Sequence, residues 1–146
     1  MCAQFIIKTR ALELAKKYGI LIPQDGRIDE RIVPYRQAPV VFSDGKAHVL
    51  HQMIFSLIPS WSKERKIKYA THNARLDSIL EKPTWKKPFL DRRCIVPMTS
   101  FIEPIYVRNY AGNMMTFSDK KHTLLSAAGV WSEWVDKESG EVLESF

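Results

Sequence analysis

Interruption is the feature that most constrains this chain. Its apolar residues come in short runs broken by eight prolines and six glycines. One stretch, Ala11 to Tyr18, joins good helix formers to apolar residues at helical spacing, with Leu12 matched to Ala15 and Leu14 to Tyr18. Gly19 supplies its stop. Elsewhere the pattern predicts strands: Phe5 to Lys8, then Val40 to Phe42 and Val49 to Ile58 around the turn Ser43-Asp44-Gly45-Lys46. Both faces of the Val49 to Ile58 segment are apolar, which predicts a buried strand. Ile22 to Pro39, with Pro23, Gly26, Pro34 and Pro39, reads as an irregular loop, and Asn73 to Leu80 as a short helix. Short strands follow at Ile95 to Val96, Phe101 to Ile102, Met114 to Phe117, Leu124 to Ala127 and Val130 to Val135. The turn Glu138-Ser139-Gly140 starts a return strand at Glu141. Many short strands with few helices predict an α+β fold, a curled, barrel-like and mainly antiparallel sheet. With 146 residues and no repeat or Gly/Ser-rich linker, a single domain over 1–146 is expected.

The composition, 45% apolar and 26% charged, is that of a globular chain. No apolar run approaches the roughly 18–20 residues of a membrane span, and Met1 to Lys8 lacks the basic and long apolar segments of a signal peptide. No membrane partner is expected, and the cytoplasm is the expected compartment. There Cys2 and Cys94 would stay thiols.

Charge is unevenly spread. The formal excess is +6, and the segment from Trp61 to Arg93, with ten Lys or Arg against four Asp or Glu, carries an excess of the same size. After Trp131 the sign reverses, Glu133, Asp136, Glu138, Glu141 and Glu144 facing only Lys137. A concentrated basic face suits phosphate chains, because binding releases condensed counterions. Trp61, Trp85 and Phe89 offer rings on which bases can stack. A solvated lysine-rich surface is the alternative reading of the same charges.

Cys2 carries the most specific chemistry. Removal of Met1 leaves a thiol and a free α-amine on adjacent carbons. That amine titrates near about 8, where lysine titrates above about 10, so it is nucleophilic at neutral pH. It can condense with an aldehyde, and the neighbouring thiolate can close the imine to a five-membered thiazolidine. Metal binding is a poor competitor: His48 and His51 are three apart, hence on opposite faces of a strand, His72 and His122 are isolated, and neither cysteine has a C-x-x-C neighbour. No metal site and no cofactor are expected.

The ordered set of short motifs resembles the SRAP family, the SOS response-associated peptidases. Met1-Cys2 stands at the start, Phe55-Ser56-Leu57-Ile58-Pro59-Ser60-Trp61 is similar to the family's W-G-L-I-P-x-W, and Asn73-Ala74-Arg75 matches N-A-R. Arg93-Cys94-Ile95-Val96-Pro97 leads to Phe101-Ile102-Glu103 as R-C-L-V-P leads to F-Y-E-W. Ala128-Gly129-Val130-Trp131 resembles A-G-L-W, and Tyr35 to Val40 resembles the segment Y-x-x-A-P. The resemblance implies a monomeric sensor of abasic sites in single-stranded DNA, at the nucleoid in the bacterial cytoplasm. Such a sensor links its amino-terminal cysteine to the sugar aldehyde, and its peptidase action is removal of its own leading residues.

On this reading the catalytic set is Cys2, Asn73 and Glu103, and the DNA-binding set is Trp61, Lys63, Arg75 and Trp85. Each has a plainer alternative. Asn73 positions groups near Cys2 or caps a following helix; Arg75 clamps phosphate or is an exposed helix residue. Glu103, between Phe101-Ile102 and Pro104-Ile105-Tyr106, transfers protons or is a strand residue facing water. Trp61 stacks on a base or packs in the core. Cys94 reads as a buried, apolar-type thiol.

The chain departs from the family pattern at three places. Ala3-Gln4 stands where members have G-R, and Pro104 replaces the tryptophan after the acidic residue. Members also continue through further strands and a segment H-x-R-M-P whose histidine assists the sugar chemistry. None of the four histidines here lies in such a motif, so that role is assigned to no residue, and a carboxy-terminally incomplete domain with an open sheet edge is expected. A non-catalytic single-stranded DNA-binding domain, or an inactive remnant, is the alternative. A cysteine peptidase acting on other proteins is more distant, since no Cys and His pair is evident.

Overall fold

The computed structural model describes residues 3–22 and 24–146; Cys2 lies outside them. Ten strands and two α-helices occur among these residues. In chain order they are β1 (Gln4–Arg10), α1 (Ala11–Tyr18), β2 (Arg27–Ile32), β3 (Gln37–Ser43), β4 (His48–Ile54), α2 (Pro83–Asp91), β5 (Arg93–Met98), β6 (Ser100–Pro104), β7 (Met114–Phe117), β8 (Leu125–Val130), β9 (Ser132–Val135) and β10 (Val142–Ser145). They form a four-stranded sheet in the order β2-β1-β6-β7 and a six-stranded sheet in the order β8-β5-β3-β4-β10-β9. Every pairing between these strands is antiparallel except the short β10–β4 contact. This is the expected α+β class with a curled, mainly antiparallel sheet.

The curl is made at Thr99, where the chain runs from β5 in one sheet into β6 in the other. The Thr99 backbone N–H and hydroxyl both donate to the Ile6 carbonyl of β1, at 2.7 and 3.0 Å. The Lys8 N–H donates to the Thr99 hydroxyl at 3.2 Å. A strand that changes sheets with its polar groups satisfied at the corner folds two sheets around one core. That core holds Phe5 and Ile7 of β1, Leu14 and Tyr18 of α1, Val40 of β3, Met53 of β4, and Cys94 and Val96 of β5. Gly129 of β8 fits there because a Cβ on it would sit 2.8 Å from the Cys94 sulfur.

α1 forms where the periodicity places it, closed by Gly19 at φ 63, and the β3–β4 hairpin forms around Asp44 and Gly45. The Asp44 carboxylate accepts the Lys46 and Ala47 N–H groups, both at 2.8 Å. Three expectations need correction. The first concerns Ile22 to Pro39, which contains a strand: β2 pairs with β1 from Arg27 to Ile32. Its sequence, RIDERI, is mostly exposed, so an edge strand held by backbone bonds carries no apolar alternation to reveal it.

The second is Asn73 to Leu80, which is a run of turns. Ser78 N–H donates to the Arg75 carbonyl at 3.3 Å, and Glu81 N–H to the Ser78 carbonyl at 3.1 Å. The Arg75 guanidinium pairs with the Asp77 carboxylate at 2.6 and 3.2 Å, and the Ser78 hydroxyl donates to Asp77 at 3.1 Å. These local side-chain bonds compete with a helix ladder. Of the apolar residues there, Ile79 is buried while Leu76 and Leu80 are exposed, which leaves a helix no face to dock. The helix falls later, at α2, begun by Pro83 in its first turn.

The third is the segment Val49 to Ile58. The strand stops at Ile54, and His51 and Gln52 are exposed. Phe55 to Pro59 leaves the ladder and runs through the interior, bonded piecewise: Phe55 N–H to the Arg36 carbonyl, Ser56 N–H to Phe146, Leu57 N–H to Thr71, and Ile58 N–H to the Ser145 hydroxyl, at 2.8 to 3.1 Å. No helix among the described residues is long and apolar enough to cross a membrane.

Candidate functional site

Phe55, at the head of the buried Phe55 to Pro59 segment, lines a cavity of about 440 Å³. Phe55 is its hub. Its ring meets Phe5 edge-on at 5.4 Å, stacks on Phe146 at 5.3 Å, and meets the His72 imidazole edge-on at 5.8 Å. The bond from Leu57 N–H to the Thr71 carbonyl, 3.1 Å, pins the next stretch, so Thr71, His72 and Asn73 form one polar corner of an otherwise apolar pocket. α2 closes another side: Trp85 and Phe89, four apart on one helix face, line the cavity, while Lys82, Lys86 and Lys87 are exposed. β5 contributes Arg93 at the wall, with Cys94 and Val96 behind it.

The electrostatics of this corner follow from burial. Thr71 is 2% exposed and its hydroxyl has no hydrogen-bond partner among the described residues. Burial pushes the His72 pKa below its ordinary value, with the positive charge of the amino terminus acting in the same direction. The Cys94 thiol, desolvated in the core, is pushed up to about 12 and stays protonated. Among the described residues no Asp or Glu side chain lines the cavity, and no cluster of three or more His, Cys, Asp or Glu could hold a metal ion.

The sequence-assigned residues divide into two groups. Asn73 and Trp85 line the cavity. Glu103 does not; it is half-buried on β6, one residue beyond the Gln4–Ile102 pair that ends the β1–β6 ladder, and opposite Met115 of β7. Helix capping by Asn73 is removed as an alternative, because turns and no helix follow it. Trp61 is 58% exposed, which removes the core reading of its ring, and Lys63 is exposed beside it. Arg75 is exposed and forked onto Asp77, whose carboxylate raises the guanidinium pKa further.

The Tyr69 hydroxyl, at the end of the basic stretch Lys63 to Lys68, meets the Thr84 hydroxyl of α2 at 3.2 Å. The Trp134 indole N–H donates to the Ser62 carbonyl at 2.9 Å and ties down the start of that loop. His72, an isolated histidine with no spacing signal in the sequence, stands beside Asn73 in the same polar corner.

Curled sheets around a largely apolar cavity with one polar corner, closed on one side by a helix that carries exposed lysines, define an α+β domain with a concave candidate site. The profile of the SOS response associated peptidase (SRAP) family matches residues 1–146, and the chain belongs to that family. It is 28% identical over 137 residues to the abasic site processing protein YoqW of Bacillus subtilis (strain 168), covering 92% of this chain and 61% of that protein. It is 29% identical over 144 residues to the abasic site processing protein HMCES of Gallus gallus, covering 77% of this chain and 42% of the relative. The match to YoqW therefore spans less than two thirds of that protein's length. Among solved structures, a protein from Bacteroides thetaiotaomicron superposes with a TM-score of 0.75 at 25% identity, covering 99% of this chain and 66% of that one. One from Bordetella bronchiseptica superposes at 0.79 and 19% identity, covering 99% and 69%, and shares the fold.

Proposed function

We propose that this chain processes abasic sites in single-stranded DNA by trapping the sugar aldehyde on Cys2. The observation that carries the reading is one juxtaposition. A cavity with a polar corner at Thr71, His72 and Asn73 is lined by Trp85 and Phe89 of a helix whose Lys86 and Lys87 are exposed, in a chain whose relatives YoqW and HMCES are named abasic site processing proteins.

Loss of Met1 frees the Cys2 α-amine. The amine adds to the C1 aldehyde of the open sugar and water leaves, giving an imine. The thiolate then adds to the same carbon, the imine electron pair returns to nitrogen, and a proton completes a thiazolidine. Asn73 orients the reacting groups from the cavity wall. Glu103, at the end of the β1–β6 ladder, transfers the protons that dehydration requires. Trp61 and Lys63 hold the flanking strand by stacking and charge, and Trp85 shapes the cavity that receives the abasic sugar. Arg75 contributes to phosphate binding once a phosphate displaces Asp77.

Protein lacking Met1, verified by mass spectrometry, should form an adduct with abasic single-stranded DNA that survives denaturing electrophoresis, and none with intact DNA. Cys2→Ala should lose that adduct, and Glu103→Gln should form it more slowly. Stable adduct from Cys2→Ala at the parent's level refutes the thiazolidine mechanism. Binding without any adduct favours the non-catalytic DNA-binding reading.

A further inference from the structure

We propose that the open face of β6 and β7 seats the nucleotide beside the abasic site, its base stacked on Phe117, an inference that rests on the abasic-site reading above. The pairing register sets Phe5, Phe101 and Phe117 opposite one another across β1, β6 and β7, and directly opposed residues share a face of the sheet. Phe5 is buried, Phe101 is half-buried and Phe117 is 41% exposed, so the row climbs from the core to the rim. The Phe101 and Phe117 rings stack at 5.2 Å with their planes 12° apart. No other ring packs on Phe117 among the described residues, and β7 is the last strand of its sheet. An exposed aromatic face is a stacking surface for any nucleobase.

Place and charge select the occupant. Glu103, two residues beyond Phe101 and opposite the exposed Met115, shares that face, about 7 Å along the strand. A base on Phe117 therefore lies within a nucleotide's reach of the group assigned above to proton transfer. Between Pro104 and His122 the cations are Arg108, Lys120 and Lys121, and the single acidic residue, Asp119, has its carboxylate on His122 at 2.7 Å. Tyr106 and Tyr110, on either side of Arg108, are exposed and add two more rings to the same hairpin. A second copy of this face would bring like charges together. A phosphate chain with stackable bases is complementary to it in both respects.

A labelled single strand with a tetrahydrofuran abasic analogue, which has no aldehyde, reads the contact apart from the reaction. In fluorescence anisotropy Phe117→Leu, which keeps apolar bulk and removes the ring, should weaken binding about tenfold at an unchanged salt slope. Phe117→Trp should bind like the parent, and the pair Lys120→Gln and Lys121→Gln should flatten the slope. 2-Aminopurine placed next to the analogue should be quenched on binding to the parent protein, a readout that stands even if the leucine variant folds poorly. Parental affinity in Phe117→Leu, or no quenching on either side of the analogue, overturns the assignment, while adduct formation by the parent keeps the function. A dimer in light scattering that Phe117→Leu dissolves gives the face to a second copy and also overturns it. Ring-dependent binding by a parent that forms no adduct with a true abasic strand upholds the stacking and overturns the abasic-site reading.

Discussion

Ser56 is the place where the backbone of the cavity wall is strained, and replacing it with glycine should stabilise the protein. Its φ is 122°, in the region that favours glycine. Its N–H is fixed to the Phe146 carbonyl at 2.9 Å, and the residue is 2% exposed, so it cannot relax without moving Phe55 and Leu57. A non-glycine residue held in a sparsely populated backbone region costs about 1–3 kcal/mol. Ser56→Gly removes that cost but gives back about 0.5–1 kcal/mol through the freer unfolded chain. The net gain is about 0.5–2 kcal/mol, and each kcal/mol raises the melting temperature of a chain of this size by about 2–4 °C. Ser56→Ala is the control, since it deletes the hydroxyl and keeps the Cβ, and should gain nothing. Thermal melts and urea titrations at unchanged m-value read the difference. If Ser56→Gly melts at or below the parent, or Ser56→Ala gains as much, the strain argument is wrong.

Thr71→Val should raise stability by about 1 kcal/mol in a urea titration, because it removes a buried hydroxyl that has no partner while keeping the shape; a loss of that size would mean the hydroxyl is bonded in solution. Non-covalent binding of undamaged single strands should weaken linearly in log–log plots against salt, with a slope of about 0.7 per phosphate neutralised. Trp61→Ala should lower affinity at every salt concentration and Arg75→Ala should reduce the slope, as gel shifts would read; parental binding by both would make the basic segment a solvated face. His72 fixes a pH dependence: its folded pKa lies below the ordinary histidine value of 6.5, so the unfolded chain takes up the proton first. Its contribution is complete above about pH 6.5 and is lost as pH falls from there towards the folded pKa. In urea titrations across that window His72→Gln should be less sensitive to acid than the parent, and an identical slope would remove His72 as the cause.

Much of the fold was legible where one local rule acted alone. Ala11 to Tyr18 has helical spacing and a glycine stop, and both are used. Asp44-Gly45 is a turn by its own chemistry, the carboxylate accepting two backbone N–H groups and Gly45 sitting at φ 91. The failures are places where partners that leave no periodic trace in the sequence decide. β2 is a strand because β1 offers it a ladder, and the segment after Asn73 is a set of turns because Arg75, Asp77 and Ser78 bond to one another before any helix can propagate.

The candidate site has the same logic at a larger scale. The motif residues could be read one by one, but not the pocket, because Phe55 to Pro59 is neither strand nor helix. Its backbone groups are satisfied by Arg36, Thr71, Ser145 and Phe146, as many as 90 positions away in sequence, and no periodicity records such bonds. Those bonds make Phe55 the common neighbour of Phe5, Phe146 and His72. An imidazole that looked isolated in the sequence thereby stands in the same wall as Asn73. The strain at Ser56 belongs to that construction: the chain must turn sharply between Phe55, which faces the cavity, and Leu57, which is fully buried and holds the Thr71 carbonyl. A glycine would make the turn at lower cost, and it is the residue that the motif W-G-L-I-P-x-W has there.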